Sequence, residues 1–503
     1  MLDSLSLKNF KGFQDLENLN TKPITVLCGT NSCGKTSILQ SILLLKQTLE
    51  SQNPNQTLLL NGRLVHLGTF ENIIFDKNLD NKIELNLRFK ISKDDQQYSS
   101  SSNRLKMRMF LGEFLSTRKT QLASHNINFK VVLKSHKNQS KSKKSLKTVI
   151  VDQIYFKLET LIPDKQIIPG AFIKLELIDS DLYKIQWENI THRIMLRQDS
   201  EKKGEVNVKI KFTNLFSMRI INSENTEEKD ARIPDITFLL YTINNMLQSI
   251  FSSYTYIGPL REEPSRRYIY EDEILEIGIK GENAAYIYST EQDKDVVNHF
   301  FYDIKSNSFQ QKPFLKLSVA VQEWLDLMNI KGFKTATLNE IIYLELNSSS
   351  ASKTRVNIAD VGFGVSQIFP IILEGLRMPW RSTLLLEQPE IHLHPNLQMQ
   401  MADYFISLAL SGKKVIVETH SDHIINRLVR RIVESETNQF KDLIAIYFIS
   451  NTENGSIYEE INIDDERGVV NWPSGFFDQV ADEQENIIRA GLRKRKFNRN
   501  RNL

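Results

Sequence analysis

Two hydrophobic patterns divide the chain. Near its start, Pro23–Cys28 (PITVLC) is a short, unbroken apolar run rich in β-branched residues, which predicts a strand buried on both faces. The first stretch as a whole reads as strand, turn, strand and then a glycine-bearing loop. From Ser37 to Leu49 apolar residues occupy most faces of a predicted helix, as expected of a helix packed under a sheet. Between Ile83 and Ile221 the pattern becomes alternating, in KIELNLRFKI, TVIVDQIYFKLETL, AFIKLELI and EVNVKIKF. This predicts antiparallel strands with one wet face. A helix follows over Ile236–Ser252, and Pro259 and Pro264 then force YIGPLREEPSRRY into an extended or turning path. Another helix is predicted over Leu317–Met328. From Ile341 onward strands and helices alternate, the rhythm of a parallel α/β sheet. There is no internal repeat and no sustained heptad pattern, so a long coiled-coil arm is not expected.

A chain of 503 residues can form two or three cores. No apolar run reaches the ~18–20 residues that span a bilayer, and the first residues lack a signal-peptide core, so the expectation is a cytoplasmic protein with no membrane partner. Two cysteines, Cys28 and Cys33, are too few for a disulfide scaffold and read as reduced thiols. The net charge of +3 hides two basic segments, Lys134–Lys147 and Arg493–Arg501. Each reads as a solvated loop or frayed tail, or as a contact for nucleic-acid phosphates.

Gly29-Thr30-Asn31-Ser32-Cys33-Gly34-Lys35-Thr36 fits G-x-x-x-x-G-K-[ST], and it sits between a predicted strand and a predicted helix. That context makes it a phosphate loop. Its glycines permit close backbone approach, and its amides and the helix N-terminus favour an anion. Lys35 would reach the β- and γ-phosphates of ATP, and the Thr36 hydroxyl would ligate Mg²⁺. The amides from Gly29 through Asn31, Ser32, Cys33, Gly34 and Ser37 complete the cradle. From the flanking cysteines one expects that a thiol reagent blocks nucleotide binding and that ATP slows the labelling.

A second polar cluster belongs at strand ends, where ligands collect in parallel sheets. Thr383–Glu387 is an apolar strand ending in a carboxylate, followed by Gln388, Pro389, Glu390 and His392-Leu393-His394-Pro395. Lys414–Glu418 ends in Thr419-His420-Ser421-Asp422. With these motifs the chain resembles the ABC/SMC-type ATPases grouped with the OLD-family and related prokaryotic AAA-like ATPases. The segments YIGPLREEPSRRY, IKGENAA, DVGFGVSQIFP, LLLEQPEIHLHP, VETHSDHIINRL and WPSGFF are similar to the subgroup with a DUF3696-type C-terminal region. The ATPase subunit of Septu-type anti-phage systems, partnered by an HNH nuclease, belongs to that neighbourhood.

The resemblance implies a P-loop head with an inserted antiparallel β-rich lobe, and several residue roles. Glu387 takes the Walker B position and holds Mg²⁺, and His420 senses the γ-phosphate. Asp360–Gln367 falls at the signature, closing on ATP of a second copy in a head-to-tail dimer. Two departures stand out. Gln388 occupies the usual position of the catalytic glutamate, so either Glu390 substitutes or hydrolysis is slow and ATP acts as a clamp. In the signature, Gly362 and Gly364 precede Ser366, leaving open whether amides or the Ser366 hydroxyl meet phosphate. Arg261, Arg266 and Arg267 read as phosphate or DNA contacts, or as partners of Glu262 and Glu263. His392, His394, His420 and His423 lack the ligand spacing of a zinc site. No nuclease constellation is visible, so DNA cleavage would fall to a partner.

The expected division is 1–80 as the N-terminal part of the head, 81–255 as the β-rich and helical insertion, 256–340 as a linker and helical region, and 341–503 as the C-terminal part of the head. The function read from this is an ATP-hydrolysing dimeric switch controlling a defence effector. The alternatives are an SMC-like DNA-maintenance ATPase and a slow-turnover, ATP-clamped scaffold.

Overall fold

The computed structural model describes residues 1–51, 56–92, 110–111, 124–136, 148–161, 167–190, 203–216, 218–221, 233–269, 276–338, 340–348, 353–436, 439–471, 473 and 479–501. Strand β1 (Leu2–Phe10) turns into β2 (Phe13–Asn20). Then come β3 (Ile24–Gly29) and helix α1 (Lys35–Glu50). The alternating segments form β4 (Ile83–Ile91), β5 (Ser124–His136), β6 (Thr148–Leu161), β7 (Ile167–Asp179), β8 (Leu182–Glu188), β9 (Lys203–Phe212) and β10 (Met218–Ile221). They build an antiparallel sheet in the order β10-β9-β8-β7-β6-β5-β4-β1-β2. The alternation does what it predicts: β4 buries Ile83, Leu85, Leu87, Phe89 and Ile91 and leaves the residues between them half-buried or exposed.

This β-rich region is continuous with the N-terminal hairpin. Leu85 of β4 stands opposite Leu7 of β1, so the sheet runs across the expected boundary at residue 80. An edge strand leaves unpaired backbone groups, and β4 satisfies those of β1. After α2 (Ile233–Phe251) the chain enters a second sheet as β11 (Tyr254–Ile257), too short to show a pattern of its own.

The second sheet gathers β12 (Thr383–Glu387), β13 (Lys414–Glu418), β14 (Ile444–Thr452) and β15 (Gly455–Glu460) around β3, in the order β11-β12-β13-β3-β14-β15. All pairs are parallel except the closing hairpin β14–β15. Successive residues alternate between two cores. Leu27, Leu385, Ile416 and Tyr447 join the core shared with α1, α2 and the antiparallel sheet. Val26, Leu384, Val417 and Ile446 join the other, built with α3 (Leu317–Leu327), α4 (Gly364–Arg377), α5 (Pro395–Leu410) and α6 (Asp422–Glu434). Burial on both faces is why these strands are apolar runs.

Residues 256–340, expected to be a linker and helical region, carry instead a hairpin of Asp295–Asp303 with Ser308–Lys316 and the strand Lys334–Leu338. Ile341–Asn347 pairs antiparallel with that strand and so stands outside the parallel sheet. The basic C-terminal stretch is part of helix α7 (Gln479–Arg501). Of the other basic segment, residues 137–147 lie outside the described residues, as do most of the WPSGFF residues. No helix among the described residues is long and apolar enough to cross a membrane.

Helices α5 and α6 are fastened by a buried ion network. The Asp403 carboxylate accepts from Arg427 at 2.8 Å and from Arg431 at 2.8 Å, and Asp403 is fully buried. Removing the carboxylate takes away the ionic partner of Arg427 and leaves buried Arg431 with Glu434 as its ionic partner, so Asp403→Ala is expected to destabilise the fold by about 3–5 kcal/mol in urea unfolding.

Candidate functional site

The parallel sheet brings both polar clusters to the carboxyl ends of its central strands. β3 ends at Gly29, where φ is +142°. A Cβ there would lie 2.0 Å from the Ile449 carbonyl oxygen of β14, so only glycine lets the loop leave the sheet. Gly34 turns the loop into α1 with φ +93°, and a Cβ on it would meet Ser456 Oγ at 3.0 Å and Phe13 at 3.1 Å. Thr30, Asn31 and Ser32 are exposed along the rim, while Cys33 and Ser37 are buried beneath it. Asn451 Nδ2 steadies the rim by donating to Ser32 O at 3.2 Å. Lys35 is buried, and its ammonium donates to Thr30 O at 2.6 Å and Gly29 O at 3.2 Å.

Facing the loop is a row of acids. Thr36 Oγ1 donates to Glu418 Oε1 at 2.9 Å. The other oxygen, Glu418 Oε2, is buried with no hydrogen-bond partner among the described residues. Burial, and next the charge of Glu387, push the Glu418 carboxyl up to about 7. Glu387 accepts from the Tyr256 hydroxyl at 2.9 Å, and burial raises its carboxyl too. Glu390 has both oxygens engaged, by Thr419 Oγ1 at 2.8 Å and by the His420 amide at 2.6 Å. Burial raises it as well. His420 is exposed, and its partial burial, then the Lys35 charge, lowers its pKa.

Gln388 sits at φ +44° in the turn after β12. Its amide donates to Glu418 O at 2.7 Å, and its carbonyl accepts from Arg261 Nη2 at 3.0 Å. Arg261 also reaches the Glu387 carbonyl at 3.2 Å. It was expected to pair with Glu262 or Glu263 or to reach a ligand; instead it is buried against the strand end, where burial lowers it to about 10. Arg266 pairs with Asp360 at 2.5 Å.

The contacts of the signature residues are with the turn after β12 and with their own helix. Gly362 and Phe363 are exposed before the first turn of α4, and nothing lies within 4 Å of where a Gly362 Cβ would be. Phe363 packs on His392 with ring centroids 5.9 Å apart, and Gly364 faces the His392 carbonyl. Ser366 is buried, and its hydroxyl donates back to Phe363 O at 2.8 Å. His394 caps α5, accepting from the Asn396 amide at 3.3 Å.

Three participants were not singled out from the sequence. Glu418 closes an apolar strand inside the VETHSDHIINRL segment but was given no role there; its strand's place beside β3 aims it at Thr36. Tyr256 lies on the short strand β11. Lys11, in the β1–β2 turn, hydrogen-bonds Gln40, and burial lowers its pKa while Glu387 partly offsets this. The expected thiol chemistry is overturned: Cys28 and Cys33 are both fully buried, and burial pushes the Cys28 thiol up.

The arrangement offers amides and an ammonium on one wall and hard oxygen donors on the other. Oxygen-only donors, with one buried carboxylate oxygen left unpartnered, fit Mg²⁺. No group of three or more His, Cys, Asp or Glu among the described residues is disposed to hold a metal alone. That also suits Mg²⁺, which takes few protein ligands and completes its shell with phosphate and water.

A family model described as AAA ATPase domain matches residues 1–425. A second, described as a protein of unknown function (DUF3696), matches residues 441–486. No curated protein matches the chain. Similar solved structures include an SMC head bound to the C-terminal winged-helix domain of ScpA, at 11% identity and TM-score 0.41, covering 92% of this chain and 98% of that one. The SMC head domain from Thermotoga maritima aligns at 10% identity and TM-score 0.35, over 92% and 99%. The SMC head from Pyrococcus furiosus, bound to the C-terminal domain of ScpA, aligns at 9% and 0.36, over 92% and 96%.

Two measurements test this geometry. Neither thiol should react with a thiol reagent in the folded chain, whether or not ATP is present, and both should react on denaturation. Glu418 binds its proton more tightly folded than unfolded. Its stabilising contribution is complete below its usual 4.5 and is lost as pH rises through about 7. Glu418→Gln mimics the protonated acid. It should therefore raise the stability of the nucleotide-free chain at pH 8, by up to about 3 kcal/mol, and leave it unchanged at pH 4.

Proposed function

The chain belongs to the AAA ATPase domain family, and on that premise we propose that it is an ATP-driven switch in which two copies close head to tail over shared ATP. The observation that carries this reading is the exposed Gly362–Gly364 turn. It presents free space and the N-terminus of a 14-residue helix to solvent, and its own contacts go to His392 rather than to the phosphate loop. Such a helix end favours an anion, and a second copy's ATP supplies one. With the Ser366 hydroxyl donating inward, the amides of Gly362 and Gly364 are the groups that meet phosphate.

In this reading Lys35 leaves its loop carbonyls for the β- and γ-phosphates, within the amides that run from Gly29 to Ser37. Thr36 and Glu387 would hold Mg²⁺, which would supply positive charge against the developing charge on the phosphates. His420 hydrogen-bonds the γ-phosphate. Gln388 cannot accept the proton of an attacking water, and Glu390 is already committed to Thr419 and the His420 amide. Turnover is therefore slow, and ATP holds the closed state for long periods.

The motif resemblance to the ATPase subunit of Septu-type systems supports an anti-phage role. In it, opening or closing of the dimer releases an effector such as an HNH nuclease. The basic residues at the end of α7 suit a DNA phosphate backbone.

A non-hydrolysable ATP analogue should convert the wild-type chain from monomer to dimer in light scattering. Lys35→Ala should bind no nucleotide and stay monomeric. Gly362→Glu should bind nucleotide within about threefold of wild type yet fail to dimerise, because its carboxylate repels the partner's phosphates. A Gly362→Glu chain that still dimerises would remove the basis for a shared site. Gln388→Glu should raise turnover by about 10²-fold, the lower range of general-base assistance.

A further inference from the structure

We propose that Glu418, to which the sequence reading gave no role, is a second acidic anchor of the Mg²⁺ site and couples ATP affinity to the metal. This rests on the reading of the phosphate loop as the ATP site.

The argument begins with strand order. β13 lies directly beside β3, with Glu418 paired in register with Leu27. β12, which carries Glu387, is one strand further away, with Glu387 in register with Glu418. The carboxylate nearest the phosphate loop is therefore that of Glu418. It already holds the hydroxyl expected to ligate Mg²⁺, at 2.9 Å. Its second oxygen is buried without a partner among the described residues, although the residue is only 3% exposed. An acceptor oxygen buried and unpaired is costly, and a cation is the ligand that relieves it.

The surrounding charges point the same way. Glu387 stands in register beside Glu418, and Glu390 holds Thr419 and the His420 amide just beyond it, so three carboxylates gather at these strand ends. Lys35, the cation nearby on the phosphate loop, is turned to the carbonyls of Gly29 and Thr30. Polyphosphate entering without a metal meets this acidic wall directly. With Mg²⁺ the same wall becomes attractive. With Mg²⁺ bound, the Thr36 hydroxyl oxygen would be a ligand, and Glu418 would either ligate the metal or accept a hydrogen bond from a metal-bound water.

The measurement is binding of a fluorescent ATP analogue in EDTA and across a Mg²⁺ titration, for wild type, Glu418→Gln, Glu418→Asp and Lys35→Ala. Thermal unfolding confirms that each variant is folded. Glu418→Gln should bind the analogue in EDTA as tightly as wild type or more so, because one repulsive charge is gone. Its half-saturating Mg²⁺ should rise by roughly 10- to 100-fold, the range for lost metal-supporting groups. Glu418→Asp should fall between the two. Because the coupling between metal and nucleotide is reciprocal, the enhancement of ATP affinity by Mg²⁺ should shrink by the same factor.

An unchanged Mg²⁺ requirement in Glu418→Gln overturns the proposal. So does an equal loss of affinity with and without Mg²⁺, which makes Glu418 a support for the loop alone. The underlying reading fails separately: if Lys35→Ala binds the analogue as wild type does, the phosphate loop is not the ATP site, whatever Glu418 does.

Discussion

The arrangement of this chain depends on one pairing between its two ends. β3 is hydrogen-bonded to β13 on one side and β14 on the other, so a strand from the first thirty residues is locked between strands from the last hundred. Neither end can form the site without the other. The loop that follows β3 contributes backbone amides, and the strands beside it contribute acids. Because Gly29 passes so close to the Ile449 carbonyl, the loop's path is dictated by β14 as much as by its own glycines. The long intervening region is tolerated because closing a longer loop costs little more than closing a shorter one. Its sheet also helps, packing α1 from the side opposite α4, α5 and α6.

That geometry creates an electrostatic problem. Glu387, Glu390 and Glu418 gather at neighbouring strand ends, and burial raises the proton affinity of all three. The protein compensates only partly. Tyr256 and Thr36 each donate one hydrogen bond, and Glu390 gains two from Thr419 and His420. Arg261 contributes its charge nearby but spends its hydrogen bonds on carbonyls, and its Nε and Nη1 have no partner among the described residues. A site left under-neutralised in this way gains from a divalent cation, and strain of this kind is where sequence rules are broken for function.

Much of the head was legible in the sequence for a physical reason. β12 and β13 run where the apolar patterns placed them, since burial on both faces leaves no polar interruptions to blur their ends. The glycine spacing of the phosphate loop was equally plain, because few residues can adopt the φ values it needs. Other features depend on tertiary neighbours and carry no local signal. Glu418 reads as the polar end of an ordinary strand until β13 is placed beside β3. Arg261 reads as one of a run of charges until its burial against Glu387 and Gln388 is seen. β11 is four residues long and shows no periodicity, so the entry of the chain into the parallel sheet was invisible. The hairpin at 295–316 was missed because its residues lie mostly at the surface, where one buried face gives a weak pattern.

In the proposed switch, the same connections would carry an event at the γ-phosphate into the rest of the molecule. The turn after β13 is tied at each residue: Thr419 and the His420 amide to Glu390, and Ser421 Oγ to Gln398 of α5 at 2.5 Å. Ser421 also caps α6, accepting from the Ile424 amide at 3.0 Å. Asp403 then joins α5 to α6 through Arg427 and Arg431. A displacement of the His420 backbone would pull on Glu390 and on the start of α6. Since Glu390 leads through His392 to Phe363, the signature turn is the surface on which that movement emerges. In the proposed switch, the group that senses ATP in one copy and the turn that meets ATP of the other are thus ends of one short, hydrogen-bonded path. A path built this way favours two discrete positions over a continuum.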